Sequence, residues 1–331
     1  MRAAQLYEYD GNLHVVELPV PTPADGEVLV RIAAAPINPS DAMFTRGLYG
    51  TRRPLPAIPG FEGAGTVVGH GGGAAGRALM GHRVAVAASA GSGTWAEYVT
   101  VAASSCFPLL PSLSTEQGAM LVVNPLTAWA LVDLARADGH KAVVQTAAAG
   151  QLGRMIVRLG QRLSVETLNV VRRPAQVQLL RGLGARHVLS THEPDFDARL
   201  AALCRELSAT LAFDAVAGDM SARVLRALPR GGRLVIYGAL SEAPCTINPG
   251  DLLFGRKRLE GFWLSDLFQA SRLPTLLKGA VRVQQWHDPD FISTVRARFP
   301  LERAPEALRA YAQDMTDGKV LLVPGDAAVA A

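Results

Sequence analysis

The chain reads as an α/β protein in which a doubly wound parallel sheet is inserted into a mainly β domain. Two observations predict this. Up to about residue 123, short apolar runs (VLVRIAAAPI, GTVVGH, HRVAVAA, AEYVTV) are separated by Pro and Gly clusters such as PVPTPADGE and GHGGGAAGRALMG, the punctuation of hairpins and corners. From about Asn124 short apolar strands alternate with helices of ten or more residues, the pattern of a parallel sheet covered on both faces. After GFWLSDLF the alternation fades. The expected division is therefore residues 1–123 with 266–331 in the β-rich domain and residues 124–265 in the inserted one.

Taken in order, PLTAWALVDLARADG predicts a helix ending at Gly139, and KAVVQTAAAG a strand that runs into a glycine turn. QLGRMIVRLGQRL predicts a helix with Leu152, Met155, Ile156 and Leu159 on one face. TLNVVRR is the next strand and PAQVQLLRGLGA the next helix; HVLS, DARLAALCREL, LAFDAV, MSARVLRAL and RLVIYG continue the alternation. The Gly/Ala-rich stretch Gly69 to Gly81 is expected to be a loop, and no internal repeat is present.

Composition excludes several classes. At 331 residues, 49% hydrophobic and 19% charged, the chain is long and apolar enough for a packed core. Its basic residues exceed the acidic ones by only four and are scattered, which speaks against nucleic acid or an anionic membrane as partner. Cys106, Cys204 and Cys245 are far apart and form no C-x-x-C pair, so neither a disulfide framework nor a multi-cysteine zinc site is expected. The uncharged run Tyr98 to Thr115 is interrupted by Pro108 and Pro111 and does not read as a membrane span. With MRAAQLYEYDG at the start, the expectation is a soluble, cytoplasmic protein. His14, His70, His82, His140, His187, His192 and His287 form no paired constellation, and Ser89, Ser92, Ser104 and Ser105 lie in no G-x-S-x-G elbow.

AVVQTAAAGQLGRMIVRLG sets Gly150 and Gly153 between an apolar strand and an amphipathic helix, where backbone can approach a pyrophosphate and helix N–H groups can hold it. It fits only part of G-x-G-x-x-G, with Ala148 in the first Gly position, and two glycines there are also ordinary turn chemistry. The second strand ends in Arg172 and Arg173 with no carboxylate at its tip. A carboxylate would pair with the 2′-hydroxyl of NAD, whereas a guanidinium fork matches a 2′-phosphate, so NADPH is favoured over NADH.

PLPAIPGFEGAGTVV, APINPSD, GLYG, GTWAEY, NPLTAW with NVVRR, and GFWLS together resemble the medium-chain dehydrogenase/reductase superfamily, in its zinc-independent branch. Within that branch they resemble the trans-2-enoyl thioester reductases of the mitochondrial type and, more broadly, quinone oxidoreductases. The resemblance implies a GroES-like catalytic domain carrying an inserted Rossmann NADPH domain. It also implies reduction of the carbon–carbon double bond of an enoyl thioester on CoA or acyl carrier protein, and a homodimer joined through the edge strand near Leu259. Zinc members carry a Cys in the segment that here reads APINPSD; Asn38 cannot replace that thiolate, so no metal is expected.

By the same resemblance Tyr49 is the proton donor, a role a phenol can fill because it stays protonated at neutral pH. Asn124, Ala149, Gly150, Gln151, Leu152, Gly153, Arg172, Arg173, Tyr237, Gly238, Ala239, Leu240, Phe262, Trp263, Leu264 and Lys319 are the expected cofactor contacts, and Asn38, Tyr49 and Trp263 the substrate pocket. Trp263 reads equally as a core aromatic following an apolar strand. Gln151, Arg173 and the loop at Gly69 to Gly81 depart from the usual pattern. Two other functions share these features: an NADPH:quinone oxidoreductase, which needs no dedicated acid, and a non-catalytic NADPH-binding regulator.

Overall fold

A computed structural model describes residues 1–88, 91–286, 293–314 and 317–325; Ser89 and His287 lie outside the described residues. The chain forms two compact units, Met1–Val123 with Ala270–Ala331, and Asn124–Gln269.

The first unit begins with an antiparallel pair, β1 (Arg2–Leu6) and β2 (Leu13–Glu17). The ten-residue β3 (Glu27–Pro36) buries Val28, Val30, Ile32 and Ala34 at every second position, the alternation of a strand with one face on a core. It leads into α1 (Pro39–Thr45). β4 (Glu62–His70), α2 (Ala74–Leu79), β5 (Arg83–Ala87), β6 (Tyr98–Ala102), β7 (Cys106–Pro108) and α3 (Thr115–Ala119) follow. β3 pairs antiparallel with both β4 and β6, and Trp95, fully buried, stands in the core beneath them. The stretch expected to be a loop at Gly69–Gly81 contains α2. Its glycines dominate the pattern, but the Ala, Arg and Leu that follow Gly73 are good helix formers, and they close one short helix.

The second unit comprises α4 (Val123–Ala137, starting at the boundary), β8 (Ala142–Gln145), α5 (Gln151–Leu163), β9 (Glu166–Val171), α6 (Pro174–Gly182), β10 (His187–Ser190), α7 (Phe196–Glu206), β11 (Leu211–Asp214), α8 (Asp219–Ala227), β12 (Arg233–Ile236), α9 (Pro249–Leu253) and β13 (Arg258–Gly261). All six strands are parallel, in the order β10-β9-β8-β11-β12-β13. β8 and β11, at the centre, are buried throughout because helices cover both faces. The order reverses between these two strands, and ligands of such sheets bind outside the carboxyl ends at that point.

The chain then returns to the first unit with α10 (Leu273–Gln285), β14 (Val295–Pro300), α11 (Ala304–Gln313) and β15 (Lys319–Val323). β15 runs parallel to β14 and antiparallel to β3, and the Ile37 N–H donates to the Val320 carbonyl, so the strand brings Lys319 beside Asn38. Among the described residues no helix is long and apolar enough to cross a membrane.

Candidate active site

In the first unit α1 ends in a left-handed turn. Gly47 has φ +70°, an added Cβ would stand 3.0 Å from the Tyr9 Cβ, and the Gly47 and Leu48 N–H groups donate back to Phe44 and Met43. The turn delivers Tyr49, half-buried, onto Phe61: the rings lie 4.8 Å apart, tilted by 45°. Phe61 in turn meets Phe44 edge to face at 5.6 Å.

Beside this aromatic cluster lies a buried set of charges. Asp41 accepts from the Asn38 N–H at 2.8 Å and from the Phe61 N–H at 2.9 Å, which ties α1 to the segment that opens β4. Glu62 accepts from the Asn38 Nδ2 at 2.9 Å and from the Val122 and Val123 N–H groups at 3.0 and 2.8 Å. The Lys319 ammonium donates to the Asn38 Oδ1. All four side chains are at most 3% exposed. Burial pushes the Asp41 carboxyl up to about 7, raises Glu62 and lowers Lys319, while attraction between Lys319 and the two carboxylates opposes each shift.

In the second unit the turn after β8 is tight. Ala147 takes the left-handed φ of +48°, one residue before the position expected to play the first Gly, and Ala148 itself is fully buried. At Gly153 an added Cβ would stand 2.5 Å from the Ala148 carbonyl oxygen, so only glycine lets α5 start this close to the strand. Gln145 donates through Nε2 to the Gly153 carbonyl at 3.0 Å and to the Asn169 Oδ1 at 2.7 Å, fixing the helix start to β8 and β9. Asp214, fully buried at the end of β11, accepts from Thr146 Oγ1 at 2.6 Å, Ser221 Oγ at 2.5 Å and the Val216 N–H at 2.8 Å. It thereby joins the turns after β8 and β11 on either side of the switch point.

The Tyr237–Leu240 segment lies alongside, with the Tyr237 and Leu240 N–H groups donating to Asp214 and Ala215. Burial and the Asp214 carboxylate raise the Tyr237 phenol above its ordinary value. Arg172 and Arg173 are exposed at the tip of β9, where Gln176 Oε1 accepts from both of their N–H groups. These residues fit a dinucleotide: a tight turn in which a Cβ at Gly150 would stand 3.3 Å from the Ala147 carbonyl oxygen, the first amides of α5, and two guanidiniums at the second strand.

Asn124 is buried in the first turn of α4. β13, by contrast, is exposed along its length as the edge strand, because Arg258 and Glu260 alternate with only one large apolar residue. Trp263 just beyond it is 42% exposed and is not a core aromatic. Asn38 and Lys319 come together, whereas Tyr49 and Trp263 belong to different units.

Residues 24–112 match the family described as alcohol dehydrogenase GroES-like domain, and residues 152–281 the family described as zinc-binding dehydrogenase. An Arabidopsis thaliana protein named mitochondrial enoyl-[acyl-carrier-protein] reductase is 32% identical over 270 residues, covering 79% of this chain and 72% of the relative. The chain belongs to the medium-chain dehydrogenase/reductase superfamily. Among solved members, a Mesorhizobium loti protein assigned as an NADPH:quinone reductase is 36% identical with a TM-score of 0.89, covering 98% of each chain. The Thermus thermophilus quinone oxidoreductase, solved also as a complex with NADPH, is 28% identical with a TM-score of 0.78 over 98% of this chain and 100% of that one.

As a medium-chain dehydrogenase/reductase the chain is an oxidoreductase, but its residues do not fit the zinc of the metal-dependent members. Asn38 offers a neutral amide whose oxygen already accepts from an ammonium, and among the described residues no three His, Cys, Asp or Glu side chains stand together as a ligand set.

The residues that sequence reasoning missed are Asp41, Glu62 and Asp214. Asp41 had a signal, standing three residues after Asn38 as in a capping box.

Proposed function

We propose that the chain is an NADPH-dependent enoyl thioester reductase. The observation that carries this reading is Tyr49, a half-buried phenol seated on the Phe61 ring in a site whose neighbouring polar groups do not fit a metal. Bound NADPH would supply the hydride. The first amides of α5 would hold its pyrophosphate, and Arg172 with Arg173 its 2′-phosphate. That hydride would go to the β-carbon of the double bond, with the double-bond electrons moving onto the thioester oxygen. The Tyr49 O–H then gives its proton to the α-carbon, and solvent reprotonates the phenolate. The reading draws support from the enoyl reductase relative, and the remaining cofactor positions, from Asn124 to Lys319, are carried with it.

A second reading, an NADPH:quinone reductase, is favoured by the Mesorhizobium loti neighbour, which matches this chain over 98% of its length. Steady-state turnover of a crotonyl-type thioester and of small quinones with NADPH separates the two. The thioester is expected to be the better substrate, and Tyr49→Phe to lower its kcat by at least ~10²-fold with little change in NADPH affinity. Quinone preference together with an active Tyr49→Phe enzyme would reverse the order.

The exposed edge of β13, together with the exposed Leu252, Leu253 and Phe254 that precede it in the chain, supports a homodimer formed by pairing with a second copy. Sedimentation at twice the 35.0 kDa chain mass, lost in Phe254→Glu, is the expected result. A monomer at micromolar concentration would remove it.

A further inference from the structure

Arg53 lies in the TRRPLP segment between the turn that bears Tyr49 and the strand that follows Phe61, and it is only 6% exposed. Its guanidinium donates to two backbone carbonyls, Ile58 at 2.6 Å and Ala88. It also lies against two aromatic rings, with Cζ 5.1 Å from the Phe44 centroid and 5.0 Å from that of Phe61. Among the described residues its Nε is buried without a hydrogen-bond partner. Arg53 is tied to the same cluster through its backbone as well: the Tyr9 hydroxyl donates to the Arg53 carbonyl at 2.9 Å and accepts from the Arg53 N–H at 3.1 Å, while the Tyr9 ring meets Phe44 edge to face at 5.8 Å.

A buried cation that leaves one donor unsatisfied is an expensive way to fill space, because desolvating an ion costs several kcal/mol and an apolar side chain of similar volume is often no worse. What a guanidinium offers, and an apolar side chain does not, is direction. Its planar fork is held by the two carbonyls, and its charge attracts the faces of the neighbouring rings. Phe61 is the ring shared by the cation and by Tyr49, which rests on it at 4.8 Å. Phe61 is also held from its backbone, where its N–H donates to Asp41. With its main chain and its ring both constrained, Phe61 is a fixed plate for the phenol.

We propose that Arg53 is a positioning residue that acts on Tyr49 through Phe61. The inference rests on the reading of Tyr49 as proton donor. Proton transfer requires the hydroxyl to approach within hydrogen-bond reach of the receiving atom, so a plate free to rock lowers the fraction of Tyr49 in that geometry and depresses kcat while leaving the binding of NADPH and thioester alone.

The test is a double-mutant cycle on the full-length enzyme. Arg53→Met, which keeps length and bulk but removes the fork and the charge, is expected to lower kcat for the thioester about tenfold, with both KM values within about twofold. In the Tyr49→Phe background the same change is expected to cost less than about twofold, because the group it positions is gone. Phe61→Leu, which removes the plate and leaves Arg53 in place, is expected to behave alike, and it carries the test if Arg53→Met does not fold. Equal losses in the two backgrounds would overturn the inference, as would kcat within twofold of wild type in both folded variants. Near-normal turnover by Tyr49→Phe alone would instead remove the proton-donor reading, and this inference with it.

Discussion

The two units bury polar groups in opposite ways. In the parallel-sheet unit the carboxylate at the switch point, Asp214, is surrounded by neutral donors: two hydroxyls and backbone N–H groups. Nearby, Gln145 and Asn169 form a neutral amide pair. In the β-rich unit the buried groups are ionisable on both sides, with Asp41 and Glu62 facing Lys319 and, through Asp41, the guanidinium of Arg53. The Gln145–Asn169 amide pair has no titrating group, so it fixes the start of α5 without regard to pH. An ionisable network couples the geometry of its surroundings to its charge state, and it stands beside the aromatic cluster that carries Tyr49.

The largest consequence of that contrast is in stability. Glu62→Ala strips three donors of their acceptor and leaves the Lys319 charge buried, so a loss on the order of 3–5 kcal/mol is expected in denaturant unfolding. Asp214→Asn removes a carboxylate whose donors are all neutral, and about 1–3 kcal/mol is expected. Equal losses would erase the distinction between the units.

A smaller effect distinguishes them by pH. The native state holds the Asp41 proton more tightly than the unfolded chain does, so that contribution to stability is complete below pH 3.8 and is lost as the pH rises through about 7. Glu62 and Lys319 face the same group from β4 and β15, and Arg53 from the loop between α1 and β4. The stability deficit of Asp41→Asn relative to wild type is accordingly expected to shrink between pH 4 and pH 7, by on the order of 1–3 kcal/mol. A deficit that widens over that range would reverse the sign assigned to Asp41.

The smallest effect concerns the neutral unit, where function is expected to depend on exposed charge at its rim. Arg172→Ala should weaken NADPH about tenfold more than NADH, read from the two dissociation constants, since only NADPH carries the 2′-phosphate that a guanidinium fork would hold. Equal weakening would take Arg172 out of that role.

Most of the parallel-sheet unit was legible along the chain, because a short apolar run followed by a helical period near 3.6 is a local signal and each βα turn announces itself within ten residues. The glycine at 153 was readable for the same reason, since its constraint comes from Ala148, five residues away. Even there the left-handed residue proved to be Ala147, a detail set by how the turn closes on β9 through the Ala148 N–H and the Val170 carbonyl. The short helix at Ala74–Leu79 was hidden by the glycines around it, and the exposure of Trp263 by its place just after a strand, where an aromatic reads equally as core.

The charged cluster lies at the other extreme. Lys319 meets Asn38 across 281 residues, and Glu62 meets Val122 across 60. Nothing in the neighbourhood of any of these residues marks it as buried. The alternation of elements, the glycine turn after β8 and the family to which the motifs belong were readable along the chain, because all of them rest on short-range spacing. Only the tertiary structure decided which charges are desolvated together and which ring supports Tyr49. Desolvation is a property of everything that packs around a group, and for these residues the packing is supplied by segments from opposite ends of the chain.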